Sequence, residues 1–295
     1  MALLALGLSW DSKPATVVLI GIGALLVAAV LAAVHHAEVV AHRVGEPFGS
    51  LVLAVAVTLI EVGLIVTLMV SKEGDTSELA RDTVFAAAMI TCNGIVGISI
   101  LVAALRDRVA NFNAEGSATA FATVIVVATL SLVLPTFTEG GGNGEFSSTQ
   151  LAFAATASAV LYGAFLVIQT IRHRHYFLPE GDDPDEEAPT PSGREALRSL
   201  GLLLVALVAV VGLAKTSSPA IEEGVEAIGA PQSAVGVAIA LLVLLPETLA
   251  AVRNARRERV QVSFTLAYGS ALASIALTLP AIAIASIWLS GPLVL

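Results

Sequence analysis

The amino-acid sequence predicts an all-α polytopic membrane protein, a helical bundle organised as an inverted repeat. Three observations support this prediction: the composition, the lengths of the apolar runs, and the similarity of two distant segments. Hydrophobic residues make up 56% of the 295 residues and charged residues 13%, whereas a soluble domain is about one quarter charged. The formal net charge is −9, and the sequence has no basic stripe of the kind that binds nucleic acid. The lipid bilayer is therefore the expected partner, and no nucleic-acid partner is expected.

Eight apolar segments are long enough to cross about 30 Å of hydrocarbon, which takes about 20 helical residues. We expect helices because backbone groups in lipid must be satisfied internally, and because these runs lack the alternation of barrel strands. The spans are placed near 16–34, 49–70, 83–104, 117–138, 150–171, 196–215, 232–252 and 262–289. The acidic run at 218–231 is too short to span and is expected to be a surface helix or loop.

Residues 172–195 are predicted to form an acidic cytoplasmic linker between five spans and three. The stretch "PEGDDPDEEAPTPSGRE" at 179–195 is rich in proline and acidic residues, and such a composition stays solvated without a packed core. The linker separates residues 1–171 from residues 196–295, which we predict to be the first and second repeats.

The distribution of basic residues predicts the orientation in the cytoplasmic (inner) membrane. Four basic residues lie on the side that includes the N-terminus: Lys13, Lys72, Arg81 and Lys215. Eleven lie on the other side: Arg43, Arg106, Arg108, Arg172, Arg174, Arg194, Arg198, Arg253, Arg256, Arg257 and Arg259. Since basic loops stay in the cytoplasm, the N-terminus is predicted to lie outside and the linker in the cytoplasm.

The repeat is visible as "RVGEPFGSLVLAVAVTLIEVGLIV" at 43–66 and "AIGAPQSAVGVAIALLVLLPETLAAV" at 227–252. In each copy a Gly-x-Pro sequence precedes an apolar run, and Glu61 falls opposite Glu247 after a two-residue gap. Five spans separate the copies, and because five is an odd number the copies have opposite topology. This is the inverted-repeat plan of many secondary transporters.

The spans that follow the two acids also pair. "FAAAMITCNGIVGISI" and "FTLAYGSALASIALTL" both open with phenylalanine and contain a polar, small-residue break, around Asn93 or Ser270 respectively. The paired motifs therefore cover about 45–104 and about 229–289. Spans four and five would have partners beyond Leu295, so the second repeat is predicted to lack its last helices in this chain.

Glu61 and Glu247 are the candidate metal ligands. Each lies within a predicted span, where an ionisable residue is functional by default, and Pro246 is expected to break the helix before Glu247. Hydroxyl and amide oxygens near them complete a hard-oxygen site suited to Ca²⁺ or Na⁺; these come from Thr58, Asn93, Thr248 and Ser270. Two like charges in a low-dielectric site take up protons when the cation leaves, which predicts exchange of a cation for protons.

The sequence resembles the bacterial sodium/calcium:proton antiporters of the calcium/cation exchanger superfamily. The stretches that carry the resemblance are "HHAEVVAHRVGEPFGSLVLAVAVTLIEV", "NGIVG", "LLPETLAAVRNA" and "QVSFTLAYGSALASIALTLP". The resemblance implies an inverted-repeat bundle of the sodium/calcium exchanger type, with Glu61 and Glu247 as the ion- and proton-binding acids flanked by Asn93 and Ser270. It implies no cofactor, no enzymatic activity, and Ca²⁺ as the transported substrate with Na⁺ or K⁺ as alternatives. Thr58 and Leu244 stand where many proton-coupled relatives have asparagine.

Two alternatives stay open at the level of sequence. The same acids could form the selectivity site of a cation channel or a passive cation-binding membrane protein. The chain could also act as a scaffold or a subunit. The sequence predicts no oligomeric state.

Overall fold

The computed structural model describes residues 16–45, 48–71, 79–138, 147–177 and 190–285. Within these residues the chain forms helices and turns, and no strand occurs. The ten α-helices are α1 (Thr16–Val44), α2 (Phe48–Ser71), α3 (Leu79–Met89), α4 (Val96–Asp107), α5 (Ala114–Ala128), α6 (Ser148–Val167), α7 (Gly193–Ala227), α8 (Ala234–Val243), α9 (Leu245–Ala255) and α10 (Val260–Ala285).

Three short π-helical segments extend the α-helices. Ile90–Ile95 joins α3 to α4, Thr129–Val133 follows α5, and Ile168–Arg172 follows α6. A π-helical turn places one extra residue in the helix and turns the following side chains to a new direction, which is why such segments recur at functional sites.

The helices agree with the predicted number of spans when the bent pair α8–α9 is counted as one span. Seven helical segments of the described chain are long and apolar enough to cross a membrane, and α8 with α9 forms an eighth that is bent by 55°. The bend lies at Leu244, two residues before Pro246. Pro246 has no N–H to donate to the carbonyl four residues earlier, so the sequence cannot continue one straight helix through this point.

Helix α7 is longer than the predicted sixth span. It continues to Ala227 and carries Pro219 inside it, so most of the acidic run at 218–231 is the end of a spanning helix and not a separate element. The helix stops where Gly229 adopts a left-handed conformation (φ 69°) and the N–H of Ala230 bonds to the carbonyl of Val225. Glycine is the residue that reaches this conformation without steric cost.

The two repeat glycines have the same local structure. Gly45 follows the end of α1 with φ 78°, and Gly229 follows the end of α7 with φ 69°. Each glycine therefore ends one span, and the next span along the chain carries an acid. Pro231 lies in the turn before α8, whereas Pro47 is outside the described residues.

The helices that carry the acids pack in a reciprocal arrangement. Helix α2, which carries Glu61, packs against α10, and α8, which precedes Glu247, packs against α3. Helix α10 also packs against α5, α6 and α9, and its buried residues form one hydrophobic cluster with residues of these helices. The pairing of each motif's first helix with the other motif's second helix is what a pseudo-twofold repeat would produce, and the inverted repeat itself stays a prediction.

We expect Gly236→Ala to destabilise the protein, because α8 lies against the backbone of α3 at this glycine. A Cβ atom there would lie 2.9 Å from the backbone nitrogen of Thr83 and 3.0 Å from the backbone carbon of Asp82, and overpacking of this kind costs about 1–3 kcal/mol. The matched control is Gly201→Ala on α7, where a Cβ would meet nothing within 4 Å. Thermal unfolding in detergent should show a lower midpoint for the first variant only; equal midpoints would contradict the close contact.

Candidate functional site

Glu61 is enclosed in the protein interior. Its exposed fraction is 1%, and both carboxylate oxygens face α10. The Ser274 hydroxyl oxygen lies 2.8 Å from Oε1 and 2.7 Å from Oε2, and the Thr278 hydroxyl lies 3.4 Å from Oε2. Ser274 and Thr278 are four residues apart on one helix, so they present their hydroxyls on the same face.

Among the residues that the structure describes, neither Glu61 nor Glu247 has a basic partner. Among the described residues the salt bridges are formed elsewhere, for example by Arg106 with Glu258 at 3.2 Å. A buried carboxylate without a cationic partner is strongly unfavourable in a medium of low dielectric constant. Each acid therefore needs either a bound proton or a bound cation in this environment.

The bend at Leu244 positions Glu247. Leu244 has φ −82° and ψ 1°, outside the helical region, and α9 restarts immediately after it with Glu247 in its first turn. The N-terminus of a helix carries a partial positive charge that stabilises an anion. The Glu247 Oε2 atom is buried and has no hydrogen-bond partner, so one oxygen of this carboxylate is free to bind a ligand.

A cavity of about 130 Å³ lies beside Glu247. It is bounded by α2, α6 with its π segment, α9 and α10. Its polar lining residues are Ser50, Tyr162, Gln169, Glu247, Thr265 and Ser270, and the remainder are apolar or glycine: Leu53, Ala54, Val57, Leu166, Leu266, Gly269 and Ala273. This volume is enough for about four water molecules, and Glu247 is the one charged residue among the described residues that line it.

The two acids thus have different environments in one site. Glu247 lines the cavity, whereas Glu61 is closed off behind α10 and bonded to its hydroxyls. The charges of Glu61 and Glu38 both act on Glu247, so the acids are near enough to repel each other when both are ionised. A cation bound between them would relieve this repulsion, and so would a proton on either acid.

The structure brings some of the predicted oxygen ligands to the acids. Ser270 lines the cavity with Glu247. Thr58 lies one turn before Glu61, is 6% exposed, and its hydroxyl has no partner. Thr248 is partly buried and donates to the carbonyl of Leu244 at 2.7 Å.

Asn93 is exposed, and its side-chain amide donates to the carbonyl of Met89 at 3.1 Å. It lies in the π segment Ile90–Ile95, in which Thr91 is fully buried. Its place among the ion ligands stays a prediction.

Sequence reasoning missed the two residues that bond Glu61. Ser274 and Thr278 continue a series with Ser270 in which a hydroxyl residue recurs every fourth position of α10. This spacing was a usable signal, because residues four apart share a helix face. Gln169 and Tyr162 had no comparable signal, since span five carries neither acid.

Among the described residues, no three His, Cys, Asp or Glu side chains cluster closely enough to hold a metal ion by themselves. The residues do fit a cation held by one or two carboxylates together with neutral oxygens, which are ligands that Ca²⁺ and Na⁺ accept.

We expect Ser274→Ala to lower the stability of the protein by about 0.5–1.5 kcal/mol, the range for an ordinary hydrogen bond, because without a bound cation Glu61 holds a proton. The hydroxyl is 2.7 Å from a carboxylate that has little other support. Ser270→Ala is the control, because Ser270 lies one turn away on α10 and faces the cavity. Unfolding in detergent without added Ca²⁺, Na⁺ or K⁺ would measure both; equal losses would show that Ser274 has no special role.

Comparison with known proteins gives consistent matches across the chain. The family model described as sodium/calcium exchanger protein matches residues 14–171 and 198–294. The putative ionic transporter y4hA of Sinorhizobium fredii is 45% identical over 271 residues, covering 92% of this chain and 74% of that protein. The sodium-potassium/proton antiporter ChaA of Escherichia coli K12 is 34% identical over 281 residues, covering 92% of this chain and 76% of that protein.

Two solved structures share the fold. The structure of native YfkE superposes with a TM-score of 0.72 at 20% identity, covering all of this chain and 83% of that chain. The crystal structure of the H⁺/Ca²⁺ exchanger CAX gives a TM-score of 0.67 at 16% identity, covering 96% of this chain and 74% of that chain. The predicted exchanger-type bundle is therefore confirmed.

Proposed function

Because the chain belongs to the sodium/calcium exchanger protein family, we propose that it exchanges a cation for protons by alternating access. The transported cation is Ca²⁺, with Na⁺ or K⁺ as further substrates. Two similar proteins support this range of ions: one is a sodium-potassium/proton antiporter, and one solved structure is that of an H⁺/Ca²⁺ exchanger.

The observation that carries the proposal is the pair of acids without basic partners. The buried Glu61 carboxylate accepts hydrogen bonds from Ser274 and Thr278. Glu247 lines a cavity, and its Oε2 atom has no hydrogen-bond partner. A cation that enters the cavity neutralises Glu247 and favours release of the proton; when the cation leaves, a proton must replace it. Cation and proton therefore occupy the site in turn, which is the basis of antiport.

The shape of the cavity supports access from the cytoplasm. Three of its lining residues lie near the ends of helices on the basic side of the protein: Ser50 near the start of α2, Gln169 near the end of span five, and Thr265 near the start of α10. From Thr265 to Ala273, α10 rises about 12 Å. Residues near the basic end of the bundle, which we propose faces the cytoplasm, therefore line the same cavity as Glu247.

Everted membrane vesicles with an acidic interior test the proposal directly. Addition of Ca²⁺, Na⁺ or K⁺ to the outside should release protons from the lumen through the wild-type protein, measured with a fluorescent pH probe. Glu61→Gln and Glu247→Gln should each lower the rate at least about tenfold, because a neutral amide cannot alternate between a proton and a cation.

Glu258→Gln is the matched control. Glu258 is an exposed glutamate that pairs with Arg106 on the same side of the protein, and its loss should leave the rate unchanged. Normal exchange by both site variants would contradict the assignment of the site. Wild-type fluxes at channel rates, without coupled proton movement, would contradict antiport.

The proposed orientation has its own test. A protease site inserted within residues 178–189 should be cut when protease is added to everted vesicles, where the cytoplasmic face is outside, and protected in right-side-out vesicles. The reason is the excess of basic residues on the side of this linker. The opposite pattern of cleavage would place the N-terminus in the cytoplasm.

A further inference from the structure

We infer that Gln169 is a specificity-determining residue, whose neutral side chain on the wall of the cavity limits the preference for Ca²⁺ over Na⁺ and K⁺. The inference rests on the proposed cation/proton exchange and assigns its ion preference to a residue outside both repeat motifs. The structural basis is the placement of Gln169 on the wall of the cavity that leads to Glu247.

Gln169 reaches the cavity because of the π segment Ile168–Arg172. Helix α6 ends at Val167, and the wider turn that follows carries Gln169 and Thr170 in succession. Gln169 is partly buried and lines the cavity, whereas the Thr170 hydroxyl donates to the carbonyl of Leu166 at 2.6 Å. The amide of Gln169 therefore faces the space through which a cation approaches Glu247.

The other polar residues that line the cavity are neutral. Ser50, Gln169 and Thr265 line it near the ends of their helices on the basic side of the protein, and Glu247 lines the same cavity. We take this basic side as the entrance. The side-chain oxygens at the entrance can replace water around a cation without adding charge. A passing cation thus meets one negative charge in the cavity, and the electrostatic attraction to that charge is twice as large for Ca²⁺ as for Na⁺ or K⁺.

A charge placed at position 169 should change the ion preference in a characteristic way. A carboxylate about 10 Å from the cation in a hydrated entrance should lower the KM for K⁺ about twofold at low ionic strength. Because the interaction energy doubles for a divalent ion, the KM for Ca²⁺ should fall by the square of this factor, about fourfold. Gln169→Glu should therefore favour Ca²⁺, and Gln169→Lys should change both KM values by similar factors in the opposite direction.

The experiment measures KM and kcat for K⁺ and for Ca²⁺ with the full chain in everted vesicles. Gln169→Leu keeps the entrance neutral and should leave the ratio of the two KM values unchanged. Thr170→Val is the matched control on the same π segment and should also leave the ratio unchanged. The expected result is opposite shifts of the ratio for the Glu and Lys variants, with kcat within about twofold of wild type.

The outcomes separate this inference from the proposed function. Wild-type protein that exchanges neither ion for protons would overturn the proposed function and the inference with it. Wild-type exchange with the same KM ratio in the Glu and Lys variants would overturn the inference alone. Equal changes for both ions, or loss of kcat in all position-169 variants, would show that Gln169 supports the helix and does not select the ion.

Discussion

A carboxylate enclosed by helices in hydrocarbon is costly unless a proton or a cation accompanies it, and the arrangement of this bundle is organised around two such groups. Helices α2 and α9 carry the acids, and α10 packs against both of these helices. The side of α10 that meets Glu61 supplies hydroxyls, while the rest of the helix is packed into the core by residues such as Leu272 and Ile275. One helix therefore contributes both to the hydrophobic core and to the solvation of the buried charge.

The fold could be predicted from the sequence because its determinants are local. The length of each apolar run defines a span, and the two Gly-x-Pro sequences mark the turns at Gly45 and Gly229. The bend before Glu247 is explained by Pro246, which lacks the N–H for a hydrogen bond to the carbonyl four residues earlier. The extension of α7 could not be predicted in the same way, because the acidic residues that end an apolar run do not end a helix.

The site was predicted less completely, because contacts between helices depend on how the helices are rotated. The acids themselves stand out in any apolar run. Asn93 lies in a π turn, whose wider geometry changes the direction of side chains in a way that helical periodicity does not predict. The hydrogen bond from Ser274 to Glu61 depends on how α10 packs against α2. Lining residues such as Gln169 depend on the three-dimensional course of a helix that has no motif of its own.

The position of Ser274 has a consequence for the motions that exchange requires. A hydroxyl group can donate a hydrogen bond to a carboxylate, and it can accept one from a carboxylic acid. Since the Ser274 oxygen is almost equally distant from both oxygens of Glu61, rotation of one hydroxyl hydrogen is enough to serve either form. The protonation of Glu61 can thus change while α2 and α10 stay in register.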